Sequence, residues 1–257
     1  MDLGLTGRTA VVAASTGGLG RAVAEALAAE GARVVVSGRR GEVAEEVAAG
    51  LPEAIGVEVD LTAPDGPRAL MDAAYAAYGH VDILVLNGPG PAPGRAADVG
   101  ATELAGAAES LLIAQARLVA AALPAMRERG WGRILAVGSS GVTAPLPGLA
   151  LSNAGRAALA GYLKTLAAET AADGVTVNLL LPGRIATDRV ARLDAATAER
   201  EGRTAEAVAA ASRATIPAGR YGTTAEFGAV AAFLCGAPAS YLTGTAVRCD
   251  GGLVRSL

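Results

Sequence analysis

The segment "AASTGGLGRAVAEAL" (13–27) places a glycine-rich turn between a short apolar run and a helical pattern. Glycines there let the backbone approach a pyrophosphate. The helix that follows offers unpaired N–H groups at the positive end of its dipole. Gly17, Gly18 and Gly20 are placed for that contact, with Ala14 and Leu19 in the same turn. Ser15 and Thr16 can add hydroxyl donors. A glycine-rich loop alone is weak evidence, and its position after the first strand pattern is what gives it weight.

A second group stands at "RVVVSGRRGE" (33–42). An acid at the end of a second strand holds the ribose hydroxyls of a dinucleotide, whereas a base there suits a 2′-phosphate. Arg39 is the better placed cation and Arg40 can help, because a guanidinium matches phosphate in fork geometry. NADP(H) is therefore expected over NAD(H).

Such residues need strands that end at one edge of a sheet. The chain supplies them as short apolar runs separated by helical patterns. Strands are expected at 8–14, 33–38, 55–60, 81–88, 132–140, 174–183 and 245–252. Helices are expected at 19–31, just before 55, at 65–79, 102–129, from 148 to about 173, and at 223–236. Strands that are apolar throughout, alternating with helices, imply a parallel sheet covered on both faces. The expected fold is α/β: a doubly wound, seven-stranded, Rossmann-type sheet in one domain, 1–257. The charged, alanine-rich stretch 188–213 leaves the carboxyl end of a strand. It reads either as a solvated helix pair or, the favoured reading, as a lid over the ligand site.

Composition narrows the partners. The 257 residues are 52% hydrophobic and 18% charged, which suits a well-buried globular chain rather than a disordered one. A net charge of −3 gives no basic footprint for nucleic acid or acidic lipid. No signal peptide is read at the N-terminus. The most apolar window, 110–126, reads as a buried helix that is too short and too charged for a membrane span. Cys235 and Cys249 lack metal-type spacing and read as a buried pair of reduced thiols, which suits a cytoplasmic protein. His80, in "YGHVD", precedes a strand and so lies at the wrong end of it for catalysis.

Several further markers follow in order: "VD" at 59–60, "VDILVLNGPG" (81–90), Ser139, "PGRIATD" (182–188), "IPAGRYGTTAEF" (216–227) and "YLTGTAVRCDGG" (241–252). With the glycine turn, these resemble the short-chain dehydrogenase/reductase family, especially its acyl-carrier-protein reductase-like members, over nearly the whole length. The resemblance implies a doubly wound seven-stranded sheet and a homotetramer or homodimer. It implies that Asp60, with Leu61 beside it, holds the adenine ring, and that Asn87 and Gly88 lie along the ribose. Pro182, Gly183, Ile185 and Thr187 would meet the nicotinamide end. Ser139 would meet a substrate carbonyl or hydroxyl.

The departures from that pattern fall on the catalytic positions. Ala14 replaces the first glycine of the turn, which is costly only if its φ is positive. "NGPG" replaces the family's "NNAG". The position of the relay Asn is Leu111, with Ser110 beside it. Ser152, 13 residues after Ser139, falls where the family carries its Tyr, and Arg156 falls where it carries its Lys.

A tyrosine can protonate an alkoxide because a nearby cation draws its phenol toward neutrality. A serine is a poorer acid and a whole ring shorter. Arg156 keeps the charge, can bind ribose hydroxyls or an anion, and does not release its proton. The expected catalytic set is thus Ser139, Ser152 and Arg156, in an NADP(H)-dependent oxidoreductase whose proton comes from water, substrate or another side chain. Two alternatives stand beside it. One is non-redox chemistry on the same scaffold, such as elimination, isomerisation, cyclisation or epoxide opening. Halohydrin dehalogenases share the Ser and Arg, but they keep a Tyr and lose the glycine turn. The other is a catalytically silent nucleotide-binding homologue. Arg189, Arg192, Arg200, Arg203 and Arg213 on the lid suit an anionic or carrier-bound substrate, but acids on the same stretch nearly balance them.

Overall fold

The computed structural model describes residues 1–256. Seven parallel strands form one sheet in the order β3-β2-β1-β4-β5-β6-β7. They are β1 Thr9–Val12, β2 Arg33–Gly38, β3 Ala54–Glu58, β4 Ile83–Leu86, β5 Gly132–Val137, β6 Val175–Pro182 and β7 Ala246–Cys249. The helices are α1 Gly18–Ala29, α2 Gly41–Ala49, α3 Gly66–Tyr78, α4 Ala101–Ala108, α5 Ala114–Glu128, α6 Ala150–Thr170, α7 Asp188–Glu201, α8 Ala205–Ala214 and α9 Thr224–Cys235. The expected doubly wound fold is the one observed.

The central strands are largely apolar because both of their faces are covered, with buried Arg133, Thr176 and Asn178 as polar exceptions. Val11, Val35, Leu84 and Ile134 point into one core, which α3, α5 and α6 close. Their neighbours Val12, Val34, Val85 and Leu135 point into the other, closed by α1, α2 and α9. Most strands stop two or three residues short of the expected carboxyl ends. There the chain leaves the ladder to build loops.

β1 pairs with both β2 and β4, and the direction of winding reverses at this place. Ligands of open α/β sheets bind outside the strand ends at such a reversal. The glycine turn after β1 is therefore carried to the ligand edge by topology alone.

The long helix expected at 102–129 is interrupted by a π turn, Glu109–Ile113. Gln115 braces that turn: its Nε2 donates to the Ser110 carbonyl at 3.2 Å and to the Asn87 carbonyl at 3.4 Å. The helical run Ala101–Glu128 is longer than the window read from sequence, and by length and apolarity alone it could cross a membrane. Ala114, Leu118, Val119, Ala122 and Met126 are nevertheless buried in the core against the sheet, and Leu111 is buried against α6.

Candidate functional site

Three helices begin with a threonine whose hydroxyl accepts from the first turn: Thr187 on α7, Thr204 on α8 and Thr223 on α9. α1 does not. Its N-cap is Gly17, with no side chain to satisfy the first N–H groups. A Cβ on Gly17 or on Gly18, whose φ is +57°, would meet nothing within 4 Å. The end of α1 thus keeps its positive dipole and an open face for an anion. Gly18 also lines a cavity of about 260 Å³ together with Thr187, Asp188 and Thr224. Gly20 is required for a different reason. A Cβ there would come 2.5 Å from the Ala14 carbonyl oxygen and 2.7 Å from Asn87 Nδ2.

The other turn residues hold the turn itself. The Ser15 hydroxyl, expected to face phosphate, is buried and donates to the Val12 carbonyl at 2.7 Å. It also accepts from the Ser37 N–H at 3.0 Å. Thr16 packs against Gly38, where a Cβ would lie 2.7 Å from its Cγ2. Asn87 donates from Nδ2 to the Ala14 carbonyl at 3.1 Å, so it ties the end of β4 to the turn. Ala14 has φ +48°, the only positive φ outside glycine among the described residues. The costly arm of the sequence argument therefore applies.

Arg39 and Arg40 are exposed just beyond β2, and neither has a carboxylate within salt-bridge reach among the described residues. Asp60 Oδ1 accepts from the Thr62 N–H at 2.9 Å and hydroxyl at 2.7 Å. Those bonds to Thr62 hold its carboxyl below the usual range, with the Arg39 charge a smaller contributor. Leu61 turns into the core. Pro182 and Gly183 leave β6 beside Asp250, and Ile185 is buried and bridged to Gly222.

The catalytic candidates gather at the ends of β5 and α6. Ser139 Oγ accepts from the Gly141 N–H at 3.0 Å, so its own proton remains free to donate. Ser152 is buried on α6 and has no hydrogen-bond partner among the described residues. One turn later, Arg156 Nη1 donates to the Val137 carbonyl at 2.5 Å. Its guanidinium lies deep in the cleft, surrounded by protein yet still reached by solvent. Burial, with the nearby Arg189 charge, pulls its pKa down to about 10.

Leu111, which the resemblance sets against the relay Asn, is buried and packs on Gly155. No tyrosine takes over as acid beside these groups. Tyr162 packs in the core, Tyr241 is fully exposed, and Tyr221 donates to Asp194 Oδ2 at 2.8 Å beneath α7.

The 188–213 stretch forms α7 and α8. Sequence reasoning did not find what anchors them. Asp194, buried on α7, accepts from Arg184 Nη1 at 2.7 Å and from Tyr221, which ties the pair to the β6 end and to the chain after α8. Arg189 reaches over the β4 loop and donates to the Gly90 and Pro91 carbonyls at 3.2 and 3.3 Å. Its place directly after the "PGRIATD" marker was the only sequence signal for it.

Two groups stand apart from this edge. His80 lies at the amino end of β4, with Nε2 3.1 Å from the buried Asp82 carboxylate, as its place in the sequence implied. The expectation of two buried thiols is corrected in one half. Cys235 is sealed in the core, but Cys249, at the end of β7, is only partly covered because the chain turns outward there.

A family model described as enoyl-(acyl carrier protein) reductase matches residues 13–254. The chain is 32% identical over 248 residues to the 3-oxoacyl-[acyl-carrier-protein] reductase FabG of Salmonella typhimurium, covering 96% of this chain and 97% of that one. It is 34% identical over 260 residues to dehydrogenase/reductase SDR family member 4 of Bos taurus, covering 98% and 89%. The structure of L-sorbose reductase from Gluconobacter frateurii, complexed with NADPH and L-sorbose, superposes with a TM-score of 0.95 at 30% identity, covering all of both chains.

Proposed function

Because the chain belongs to the short-chain dehydrogenase/reductase family, we propose that it is an NADP(H)-dependent oxidoreductase acting on a carbonyl or alcohol through Ser139, Ser152 and Arg156. The observation that carries this reading is the uncapped end of α1 at the winding reversal, with Arg39 unpaired beyond the neighbouring strand. The open space before Gly17 and Gly18 fits a pyrophosphate, and the free guanidinium fits a 2′-phosphate. Arg39 and Arg40 would hold that phosphate, and Thr187 would close over the pyrophosphate from α7.

The bound cofactor would supply or accept hydride. The chain's own residues would do the rest. Ser139 and Ser152 donate hydrogen bonds to the oxygen that gains negative charge, and Arg156 supplies a positive field to it. The proton itself comes from water or from the substrate, since serine and arginine are poor acids at neutral pH. The relatives' names agree with this assignment: one is a 3-oxoacyl reductase, and another binds NADPH and a ketose. We assign a small-molecule or carrier-bound substrate, a cytoplasmic location, a homotetramer or homodimer, and a lid role for α7 and α8 on the same footing.

Calorimetric titration of nucleotide-free protein with NADPH and then NADH tests this reading. Preference for NADPH by about tenfold or more, lost in Arg39→Ala, is the expected result. Binding of neither nucleotide would overturn it. The sealed Leu111 position favours one second reading, non-redox chemistry on the same scaffold. That reading predicts turnover in nucleotide-free protein.

A further inference from the structure

The lid arginines do not all behave alike. Arg184 pairs with Asp194, Arg200 and Arg203 share Glu201, and Arg213 pairs with Glu206. Arg189 and Arg192 have no carboxylate within 4 Å among the described residues, and neither does Arg156 below them. The near balance of charge along 188–213 therefore hides a local excess. It falls at the start of α7, where Arg189 and Arg192 outnumber Asp188 and Arg189 faces the β4 loop.

Arg156 and Arg189 each spend their donors on backbone carbonyls: Val137 for the first, Gly90 and Pro91 for the second. A guanidinium has five N–H donors, so most remain unused on both. Arg156 is held at the end of β5 and Arg189 over the loop that follows the adjacent strand β4, and burial with the Arg189 charge draws Arg156 down. A charge taken out of water without an opposite charge is unfavourable by several kcal/mol in general. Arg189 is exposed, so that cost falls on the partly buried Arg156, which has no carboxylate partner among the described residues. The open end of α1 follows β1 and shares a cavity with Thr187 and Asp188, whereas Arg156 stands at the end of β5. Arg156 lies one turn after Ser152 on α6 and bonds to Val137, two residues before Ser139.

We propose that Arg156 and Arg189 together bind a carboxylate carried by the substrate, so that the protein acts on oxo acids or hydroxy acids rather than on neutral ketones or alcohols. The proposal rests on the oxidoreductase reading for its reaction, but not for its binding site. The carboxylate takes the unused donors of both guanidinium groups. The carbonyl to be reduced then lies within reach of the two serines. Arg189 acts as a positioning residue for α7 as well. It joins the lid to the Gly90–Pro91 loop, so an anion held there would draw the lid onto the cleft.

The test measures binding separately from turnover. Short 2-, 3- and 4-oxo acids and their methyl esters are compared by ligand-detected NMR, against protein with and without NADP+. At least one acid is expected to bind about tenfold or more tightly than its ester, with that preference lost in Arg189→Gln. NADPH affinity of Arg189→Gln, followed by calorimetry, is expected to stay within about threefold of the parent. Arg189→Lys should recover part of the preference. Equal binding of acids and esters, or binding of neither, overturns the proposal. A loss of NADPH affinity as large as the loss of acid binding also overturns it, because the pair then serves the cofactor. Acid-selective binding without any hydride transfer leaves the carboxylate site standing and removes the redox reading.

Discussion

Leu111 and Gly155 are in direct contact: a Cβ on Gly155 would come 2.8 Å from Leu111 Cδ1 and 3.0 Å from its Cβ. The π turn that carries Leu111 and the helix that carries Ser152 and Arg156 therefore meet with no room for a polar relay. This contact puts an apolar seam beside the helix that carries the two candidate groups.

Gly155→Ala should destabilise the protein by about 1–3 kcal/mol, because a methyl group is forced into a packed seam. For a chain of this size, each kcal/mol lowers Tm by roughly 2–4 °C. Leu111→Ala opens the same seam from the other side, so its cost should be smaller in the Gly155→Ala background than alone. Denaturant melts of the two single variants and the double variant measure the coupling. Strict additivity would show that the two side chains do not share this space.

Ala14 is held at φ +48°, with its carbonyl accepting from Asn87. A left-handed conformation costs an L-residue about 1–2 kcal/mol, while glycine loses about 0.5–1 kcal/mol of backbone entropy on folding. Ala14→Gly should therefore stabilise the protein by roughly 0.5–1 kcal/mol, read as a rise in Tm, with NADPH affinity held or improved. A fall in Tm would mean that the methyl group contributes packing that outweighs the strain.

The sheet was legible in sequence because both faces of the central strands are covered, which leaves apolar runs such as Val34–Val36 and Leu179–Leu181. The glycine turn was legible because close approach restricts residue type, as the Gly20 contact with Ala14 and Asn87 shows. The roles of single polar groups were not. Ser15 reads as a phosphate donor in sequence, and only the neighbouring β2 backbone reveals that its hydroxyl is already taken. Arg189 and Arg184 look alike in a charge count. They differ because Asp194, ten residues after Arg184, folds back onto one of them and leaves the other bare.

That Asp194 latch predicts where the molecule opens. The carboxylate holds α7 to Arg184 and Tyr221, and Arg184 is itself only partly exposed. Asp194→Ala leaves a partly buried guanidinium without its partner, a local cost of about 2 kcal/mol once solvent access is allowed for. Amide hydrogen exchange across 188–214 should then quicken by about tenfold or more, while β1, β4 and β5 keep their protection. Uniform acceleration over the whole sheet would show instead that α7 and α8 are part of the global folding unit. That outcome would remove the basis for calling them a lid.

The two cysteines give a pH-dependent reading of the core. Burial pushes the Cys235 thiol up to about 12, with the nearby Arg133 opposing that rise. In the unfolded chain the thiol titrates near its ordinary 9.0. The folded value is thus the higher one, so the unfolded chain releases its proton first, and stability falls as pH rises from about 9 toward 12. At pH 10 this single group should remove about 1 kcal/mol relative to pH 8. Cys235→Ala should lack that component, so the stability difference between variant and parent should shift in the variant's favour over the same interval. Parallel denaturant melts at pH 8 and pH 10 measure it. A thiol reagent supplies the companion measurement: in native protein Cys249 should react and Cys235 should not, until denaturant releases the second thiol. Fast labelling of both thiols in native protein would show that α9 opens readily and that Cys235 is not sealed beneath it.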